Sequence, residues 1–271
     1  MGLKRVVVIS DTQLPYEDKR ALRNVTAFIG DYQPDAVYQI GDLMDYPTPS
    51  RWNRGTKGEY EQLVVRHSDY GKKNFFEPLR KLYSGPVGVL EGNHDERPRV
   101  YLEQQAPALA EFSDTFHFAK LLDFDGFGVD LIKPFTKVGP DTVLVHGHEI
   151  KGMSQIAGTS AYNHAAKAGA NIVMGHTRRL GVRRHTAQYR GGKPTRRWGF
   201  ETGNIMDVRK AGYLGAGGVA NWQQGFGLLY VGHYDVSPVE IDIWPDGSFV
   251  VEGTRYGALK RDGGGKFTRT A

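Results

Sequence analysis

The chain has 271 residues, a hydrophobic fraction of 39% and 35 glycines, which indicates a globular protein rich in turns rather than a disordered one. It contains no cysteine, so disulfides, zinc–thiolate sites and cysteine nucleophiles are excluded. The net charge of +5 is mild, and it matters only where it is concentrated. The N-terminal apolar run, Val6 to Ile9, is too short for a signal peptide or a membrane span, so we expect a soluble cytoplasmic protein.

The first forty residues predict a strand, a helix and a second strand. Lys4–Ile9 is an almost continuous β-branched run, which is typical of a buried strand. Asp18–Ile29 has apolar residues at helical spacing, and Pro34–Ile40 is again strand-like. Two strands joined through a helix in this way lie parallel in one sheet.

The rest of the chain continues in the same way and becomes β-rich towards its C-terminus. The predicted elements are a long helix over Glu59–Tyr83 broken near Gly71, a strand at Val87–Leu90, a helical region over Tyr101–Lys120, strands at Phe127–Ile132 and Thr142–Val145, a helix at Thr159–Ala168, a strand at Asn171–Met174, a hairpin around Arg190–Lys193, and strands at Gly225–Tyr234, Val239–Trp244 and Ser248–Gly253. No repeat or linker is evident, so we predict a single domain over residues 1–259 and a flexible tail over 260–271.

Polar side chains follow five of the predicted strands, each within one or two residues of the strand end. These residues are Asp11, Asp42 with Asp45, Asn93 with His94, His146 with His148, and His176. The carboxyl ends of the strands are where open α/β sheets hold their sites. One such group arises easily by chance, whereas five in order do not. Carboxylate, amide and imidazole ligands suit Mn, Fe, Zn, Ni or Co rather than calcium.

The order of these motifs resembles the calcineurin-like metallophosphoesterase family. The family's motifs are Asp-x-His, Gly-Asp-x-x-Asp, Gly-Asn-His-Asp/Glu, His-Gly and Gly-His-x-His, and their counterparts here span Asp11 to Arg178. The resemblance implies an α/β fold with two packed mixed β-sheets flanked by helices, an αββα sandwich, and a two-metal centre at the strand ends. It also implies hydrolysis of phosphate esters by in-line attack of a metal-bound hydroxide on phosphorus.

The resemblance also implies which residues hold the metals. Asp42 would bridge the two ions. Asn93, His146 and His176 would complete one of the two sites, and Asp11 would belong to the other. We expect a divalent transition metal, with manganese first and iron, zinc, nickel or cobalt as alternatives.

The catalytic acid of the family has a counterpart in this chain. His94 would act near the leaving group, and Asp45 would orient it through a hydrogen bond. A cationic imidazole held by a carboxylate can donate a proton to the departing alkoxide. We therefore expect His94 and Asp45 to act together as a catalytic pair.

Two residues depart from the family pattern, and both lie where the family has histidine. Gln13 stands in the first motif and Arg178 in the last. The Gln13 amide oxygen is a weaker ligand, and the guanidinium of Arg178 cannot ligate a metal at all. A guanidinium about 5 Å from a divalent ion costs several kcal/mol at an effective dielectric of about 20. We therefore predict one intact metal site and a second that is weakened or absent, with Arg178 binding the phosphate directly. In the alternative, Arg178 turns to solvent, and Gln13 and Asp11 still hold a second ion.

The positive charge is concentrated in the segment 178–197, which carries eight basic residues and no acidic one. A solvated β-ribbon is the ordinary explanation of such a run. Beside a centre that cleaves phosphate esters, however, a basic ribbon suits nucleic acid. We predict that the nucleic-acid contacts come from Arg179, Arg183, Arg184, Arg190, Lys193, Arg196 and Arg197.

These observations favour a metal-dependent phosphodiesterase that acts as a nuclease on DNA, with DNA preferred to RNA as the partner and with no membrane partner. One alternative is a phosphatase or phosphodiesterase of nucleotides or other small esters. Another is a catalytically degenerate protein that binds nucleic acid. Gln13 and Arg178 motivate the last alternative, whereas the retention of Asp45 and His94 argues against it.

Overall fold

The computed structural model describes residues 2–61, 63–210 and 220–257, together with the backbone of Lys260–Arg261 and Phe267–Thr268. The strands are β1 (Lys4–Ile9), β2 (Ala36–Ile40), β3 (Val87–Leu90), β4 (Asp130–Ile132), β5 (Thr136–Gly139), β6 (Thr142–Val145), β7 (Asn171–Met174), β8 (Leu180–Ala187), β9 (Thr195–Thr202), β10 (Gly225–Val231), β11 (Val236–Asp242), β12 (Phe249–Val251), β13 (Thr254–Tyr256), β14 (Lys260–Arg261) and β15 (Phe267–Thr268). The helices are α1 (Lys19–Tyr32), α2 (Val64–Gly71), α3 (Glu77–Leu82), α4 (Arg97–Gln105), α5 (Phe118–Leu121), α6 (Phe124–Phe127) and α7 (Thr159–Ala168).

Two mixed sheets form the centre of the fold. The first has six strands in the order β11-β10-β1-β2-β3-β4, and the second has five in the order β5-β6-β7-β9-β8. Strands β1 to β4 run parallel to one another, as do β6, β7 and β9, while β10, β11, β5 and β8 are antiparallel to their neighbours. The parallel strands are the ones that carry the polar motifs at their ends.

Alternation along β1 explains why the two sheets pack face to face. Val6 and Val8 point into a buried cluster shared with Val173 and Phe200 of the second sheet. Val7 and Ile9 point the other way, into the core under the helices that cover the first sheet. Successive side chains of a strand alternate between its two faces, so one apolar strand serves both cores.

The outer layers are helical. The α1 helix begins after Asp18, whose side chain accepts hydrogen bonds from the backbone N–H groups of Arg20 and Ala21. It packs on the first sheet, while Ala161 and Ala165 of α7 pack on the second. The expected α/β fold, two mixed sheets between helices, is therefore confirmed. Among the described residues, no helix combines the length and the hydrophobicity needed to cross a bilayer.

The long helix predicted over Glu59–Tyr83 begins later than expected. Glu59 ends a short 3₁₀ turn, and its carboxylate accepts hydrogen bonds from Gly55 N at 2.7 Å and Tyr101 Oη at 2.6 Å, which hold it in a loop. The helix is also not broken at Gly71, because α2 continues through a π-helical turn, Lys72–Phe76, into α3. Pro78, just inside α3, has no N–H to donate, and irregular helical turns accommodate such a loss.

The helical region predicted over Tyr101–Lys120 is divided. The α4 helix ends before Pro107, and 3₁₀ turns follow from Pro107 to Phe116, because proline disfavours the α conformation in the residue before it. Of the strand predicted at Phe127–Ile132, only β4 forms, since Phe127 ends α6 and Gly128 has a φ of 60°.

Two of the later strands, β5 and β11, also differ from expectation. The sequence prediction missed β5, and β11 begins at Val236, two residues before Pro238. Proline is tolerated there because β11 is an edge strand.

The single domain over residues 1–259 stays a prediction. The tail predicted to be flexible, 260–271, lies outside the described residues except for β14 and β15, whose backbones pair with each other.

Candidate active site

The carboxyl ends of the parallel strands bring the polar motifs together. Asp42 follows β2, His146 follows β6 and His176 follows β7, so two of the three come from the second sheet. One ligand atom from each of these residues lies within 4.8 Å of the others. Asp42 and His146 are fully buried. Residues separated by more than 130 positions therefore form one compact cluster.

The backbone of this cluster is strained. The φ angle is positive at Asp11 (48°), Gln13 (55°), Asp42 (54°), His176 (65°) and Arg178 (59°). Residues other than glycine pay about 1–3 kcal/mol for such a conformation, and proteins concentrate it at functional sites. At each strand end, this conformation turns the backbone sharply and directs the following side chain at the centre.

Two glycines allow these turns to approach one another. A Cβ atom on Gly92 would lie 2.2 Å from the backbone nitrogen of Asp42, and one on Gly175 would lie 1.8 Å from Ser10 Oγ. Any larger side chain at either position would push adjacent turns of the centre apart. The glycines of the third and fifth motifs are therefore required by close packing.

On one side of the centre, His146 is held in a fixed orientation. Its Nδ1 donates to the backbone carbonyl of Ile40 at 2.9 Å, because a carbonyl can only accept. Its Nε2 lies 3.2 Å from Asp42 Oδ1 and 3.3 Å from Asn93 Oδ1. Metal-binding histidines are held in the same way, by a hydrogen bond at the ring nitrogen that faces away from the metal.

The pKa values on this side follow from burial and charge. Burial lowers the pKa of His146, but the carboxylates of Asp42 and Asp11 outweigh it and raise the value to about 10. Burial, together with the neighbouring charge of His146 and Arg178, lowers the pKa of His176 to about 3, which leaves its ring neutral. Burial opposes ionisation of Asp42, yet the adjacent His94 and His146 hold its pKa well below the usual range. An ionised carboxylate and a neutral imidazole are thus available as ligands.

These residues fit a divalent metal ion. The oxygens of Asp42 and Asn93 converge on the point that His146 Nε2 faces, and the neutral ring of His176 adjoins it, with 5.1 Å between the two ring centroids. Two acceptor oxygens directed at one buried point favour a positive charge there. Oxygen and imidazole donors in this combination suit a first-row transition metal.

The other side of the centre has a different character. Gln13 donates from Nε2 to Asp42 Oδ2 at 2.9 Å, so its amide nitrogen rather than its oxygen faces that carboxylate. Asp11 Oδ2 accepts from Ser10 Oγ at 2.5 Å and from His176 N at 2.8 Å. Asp11 Oδ1 and Gln13 Oε1 are buried and accept no hydrogen bond from any residue that the structure describes.

Arg178 points into the centre rather than to solvent. Its Nε lies 3.6 Å from Asp11 Oδ1, its Nη2 lies 3.8 Å from Asp42 Oδ2, and its side chain is only 11% exposed. The guanidinium lies over the ring of Trp222 at 4.8 Å from the centroid, and Asn204 Nδ2 donates to the Arg178 carbonyl at 2.9 Å. The structure therefore places a fixed positive charge between Asp11 and Asp42.

The predicted acid pair is also assembled. His94 Nδ1 donates to Asp45 Oδ1 at 2.8 Å, and both residues are buried. His94 Nε2 faces the guanidinium groups of Arg97 at 3.1 Å and Arg178 at 3.5 Å, and because a guanidinium can only donate, Nε2 is the acceptor in this arrangement. Arg97 also donates to the Asp45 carbonyl at 2.6 Å.

Sequence reasoning missed several residues around the centre. Arg97 stands three positions after His94 at the start of α4, a spacing that places two residues on the same side of a helical turn and was a usable signal. Ser10 and Asn204 look like ordinary turn residues in the sequence, yet both are fully buried beside the site. One face of the Trp222 ring lies against the Arg178 guanidinium, a contact that the sequence does not reveal.

The basic hairpin forms as predicted, beginning beside the centre and running away from it. Leu180 of β8 pairs with Thr202 of β9 near the centre, while Ala187 pairs with Thr195 at the far end. Strands of eight residues span about 25 Å, so the turn that carries Arg190 and Lys193 lies well away from the strand ends that form the centre.

The cations of this hairpin differ in their surroundings. Arg179 is 7% exposed and donates to Gln155 Oε1 at 2.5 Å, so it is buried and does not lie on the surface predicted to contact nucleic acid. Arg183 donates to Thr159 Oγ1 and Arg184 to the Pro238 carbonyl, and the guanidinium of Arg197 lies 3.9 Å from a carboxylate oxygen of Asp141. Arg183 and Arg184 are nevertheless exposed, as are Arg190, Lys193 and Arg196.

Several known proteins are similar to this chain. The sequence model of the calcineurin-like phosphoesterase family matches residues 4–209. The Gene 54 proteins of Mycobacterium phages L5 and D29 are each 49% identical over 253 residues, which is 92% of this chain and 97% of each relative. A crystal structure of a Vps29 mutant from Entamoeba histolytica aligns over 98% of both chains at 17% identity, with a TM-score of 0.44.

Proposed function

Because the chain belongs to the calcineurin-like phosphoesterase family and is a metal-dependent phosphoester hydrolase, we propose that it is a phosphodiesterase that cleaves nucleic acid, a nuclease acting on DNA. The observation that carries the proposal is the guanidinium of Arg178, which lies between Asp11 and Asp42 and beside the His94–Asp45 pair. A fixed cation next to a proton donor suits an ester whose phosphate keeps one negative charge.

The metal ligands in this proposal are Asp42, Asn93, His146 and His176, which form one firm site. Manganese is the ion to test first, followed by iron, zinc, nickel and cobalt. When bound, the ion supplies Lewis-acid polarisation of the phosphate and activation of a water molecule. Asp11 and Gln13 form the weaker side, because Arg178 already neutralises the Asp11 carboxylate at 3.6 Å.

The arginines hold the substrate. Arg178 and Arg97 both direct N–H groups at His94 Nε2, at 3.5 and 3.1 Å. A phosphate placed between them can accept from both guanidinium groups, and planar paired donors match the geometry of phosphate oxygens.

His94 carries the proton. Its Nε2 faces the cleft, while Asp45 at Nδ1 compensates the positive charge of the ring once Nε2 is protonated. A substrate phosphate that engages the N–H groups of Arg97 and Arg178 leaves Nε2 directed at the leaving oxygen. Proton donation by a positioned imidazole accelerates such a reaction about 10²- to 10⁴-fold.

A polyanionic substrate agrees with the distribution of charge. The cavity in front of His94 has a volume of about 700 Å³, and Arg97, Arg178 and Lys210 contribute to its walls. In this proposal, a second stretch of a long nucleic acid binds the exposed cations of the β8–β9 hairpin, away from the centre. A small ester would contact the cavity alone.

The test combines metal content with activity on a panel of substrates. Purified protein is measured for metal ions per chain, and then for hydrolysis of bis-p-nitrophenyl phosphate, DNA and RNA of the same sequence with Mn²⁺ or EDTA. We expect about one tightly held ion per chain, metal-dependent cleavage of DNA, and loss of cleavage in His94→Ala.

The other outcomes select between the alternatives. Turnover of nucleotides and small esters without cleavage of nucleic acid favours the small-ester phosphodiesterase. Binding of nucleic acid without metal-dependent turnover of any ester favours the degenerate binding protein. Two tightly held ions per chain contradict the single firm site.

A separate measurement tests the hairpin. DNA affinity should fall with salt, and in Arg196→Ala the slope of log affinity against log salt should decrease by about one if that residue neutralises a phosphate. Lys81→Ala is a matched control, because Lys81 is an exposed cation on α3, outside the hairpin. Equal slopes in both variants and the wild type would remove the hairpin from the interface.

A further inference from the structure

A tryptophan stands at the mouth of the cleft, beside the proton donor. The cavity of about 700 Å³ adjoins a second of about 420 Å³. Both are lined by Ser50, Trp52, His94 and Arg97. Trp52 therefore forms a ridge between two depressions that meet at His94. A ligand that reaches His94 from either depression passes the indole ring.

The ring of Trp52 is open to such a ligand. It is 73% exposed, although exposed indole surface is unfavourable in water. The guanidinium of Arg51 lies over the ring at 4.8 Å from its centroid. The loop that carries it is held by Asn53, whose Nδ2 donates to the Pro47 carbonyl at 2.7 Å and whose backbone nitrogen donates to the Ser50 carbonyl at 2.9 Å. The ring is thus presented on an internally bonded loop.

The walls around Trp52 favour an anion with more than one phosphate. Arg97, Arg178 and Lys210 line the larger cavity. The lining also includes the carboxylate of Asp45, which already accepts a hydrogen bond from His94. Arg51 and Arg54 add two further positive charges to the smaller cavity, where the carboxylate of Glu96 lies 3.9 Å from Arg99. Cations interleaved with an aromatic ring are the combination with which proteins bind single-stranded nucleic acid.

Access to the centre limits the form of that nucleic acid. His94 is 7% exposed, so the scissile phosphate must enter the cavity to reach it. The bases of a duplex are already stacked on both faces. A single strand can enter and can turn an unstacked base outwards.

On the basis of the proposed function, we propose that the cleft binds single-stranded nucleic acid. The base on the leaving-group side of the scissile phosphate stacks on Trp52. The adjacent phosphates then lie against Arg97 and Lys210. This assigns a base-binding residue to the mouth of the cleft, in a cavity that Asn93 and His94 also line.

The experiment measures binding under conditions without turnover. Fluorescence anisotropy in EDTA follows a labelled single strand of ten thymidines and an abasic strand with the same number of phosphates. Wild type is compared with Trp52→Leu and with Trp52→Phe, which keeps an aromatic face. Trp244→Leu is the matched control, because Trp244 is 39% exposed, has Arg255 over its ring at 4.9 Å and lines neither cavity.

We expect Trp52→Leu to weaken binding of the thymidine strand about 5- to 150-fold, the loss measured for one stacked base. Trp52→Phe should retain most of the affinity. The abasic strand should bind equally to all variants, and Trp244→Leu should match wild type. Circular dichroism confirms that each variant is folded.

The proposal is overturned if Trp52→Leu binds the thymidine strand as wild type does, if it loses the abasic strand equally, or if wild type prefers the duplex of the same sequence or binds neither form. Hydrolysis of bis-p-nitrophenyl phosphate by wild type with Mn²⁺ is measured in parallel. Its absence overturns the proposed function, whereas its presence with unchanged binding by Trp52→Leu overturns only the role of Trp52.

Discussion

The two carboxylate oxygens of Asp42 face two different halves of one centre. Oδ1 lies 3.2 Å from His146 Nε2, on the side with Asn93 and His176. Oδ2 accepts from Gln13 Nε2 at 2.9 Å and lies 3.8 Å from Arg178 Nη2. The first half offers ligands to a metal, while the second presents N–H donors, which cannot bind one, beside the carboxylate of Asp11.

This difference suggests how one centre can depart from a two-metal pattern while its architecture is kept. Both halves share the same strand ends and the same left-handed turns at Asp11, Asp42 and His176. Only the charge carrier differs, since in the proposed function a guanidinium stands where a second ion would lie. The positive charge of arginine is part of the polypeptide, so the second half needs no bound ion in order to hold a phosphate.

Removing a ligand from the metal half should have the largest effect. We expect His146→Ala to lose bound metal and to lower metal-dependent turnover by at least about 10³-fold, because the ion contributes several kcal/mol of charge stabilisation. Metal analysis and the rate with bis-p-nitrophenyl phosphate measure both changes. Gln13→Ala is the control from the other half and should keep the metal; equal metal loss in the two variants would abolish the distinction.

Removing the charge from the arginine half should come next. Arg178→Ala should lower turnover by about 10²- to 10³-fold, the loss typical of one preorganised electrostatic contact in a transition state. Metal content should stay at the wild-type level. Arg178→Lys, which keeps the charge without the paired donors, should recover part of the rate. A fall in metal content together with the rate would instead make Arg178 part of the metal half.

Removing the aromatic contact that supports Arg178 should have a smaller effect. Trp222 lies under the Arg178 guanidinium at 4.8 Å, and such a cation–π contact contributes about 0.5–2 kcal/mol. Trp222→Leu should therefore reduce kcat/KM about 2- to 30-fold, whereas Trp222→Phe should restore most of it. Combining Trp222→Leu with Arg178→Ala should add no further loss, and additive losses would show that Trp222 acts independently of Arg178.

Converting the arginine half into a metal half should change the number of metal ions bound per chain. Arg178→His should raise the metal content from about one ion per chain towards two, because it replaces a repelling cation with an imidazole ligand beside Asp11. Elemental analysis after dialysis measures the ratio. Arg179→His is the control, since Arg179 is buried and donates to Gln155. An unchanged ratio in Arg178→His would locate the barrier to a second ion elsewhere, for example at Gln13.

Much of the fold was predictable because its signals are local. Apolar runs ending in Asp11, Asp42, Asn93, His146 and His176 identified the strands and their carboxyl ends. Predictions failed where one residue acts through distant partners. Glu59 is held out of a helix by Gly55 and Tyr101, and β11 continues through Pro238 because it lies at a sheet edge.

Sequence alone determined which chemical groups collect at the centre, because parallel strands bring their carboxyl ends to one edge whatever the details of packing. Tertiary structure decided where the side chains point. Arg178 turns inwards because its φ is 59° and Trp222 supports its guanidinium, while Arg179, its neighbour, is directed at Gln155. Arg178 and Arg179 are adjacent and identical in type, yet they have different roles. Backbone torsion angles and long-range packing determine the direction of each side chain, and residue type alone specifies neither.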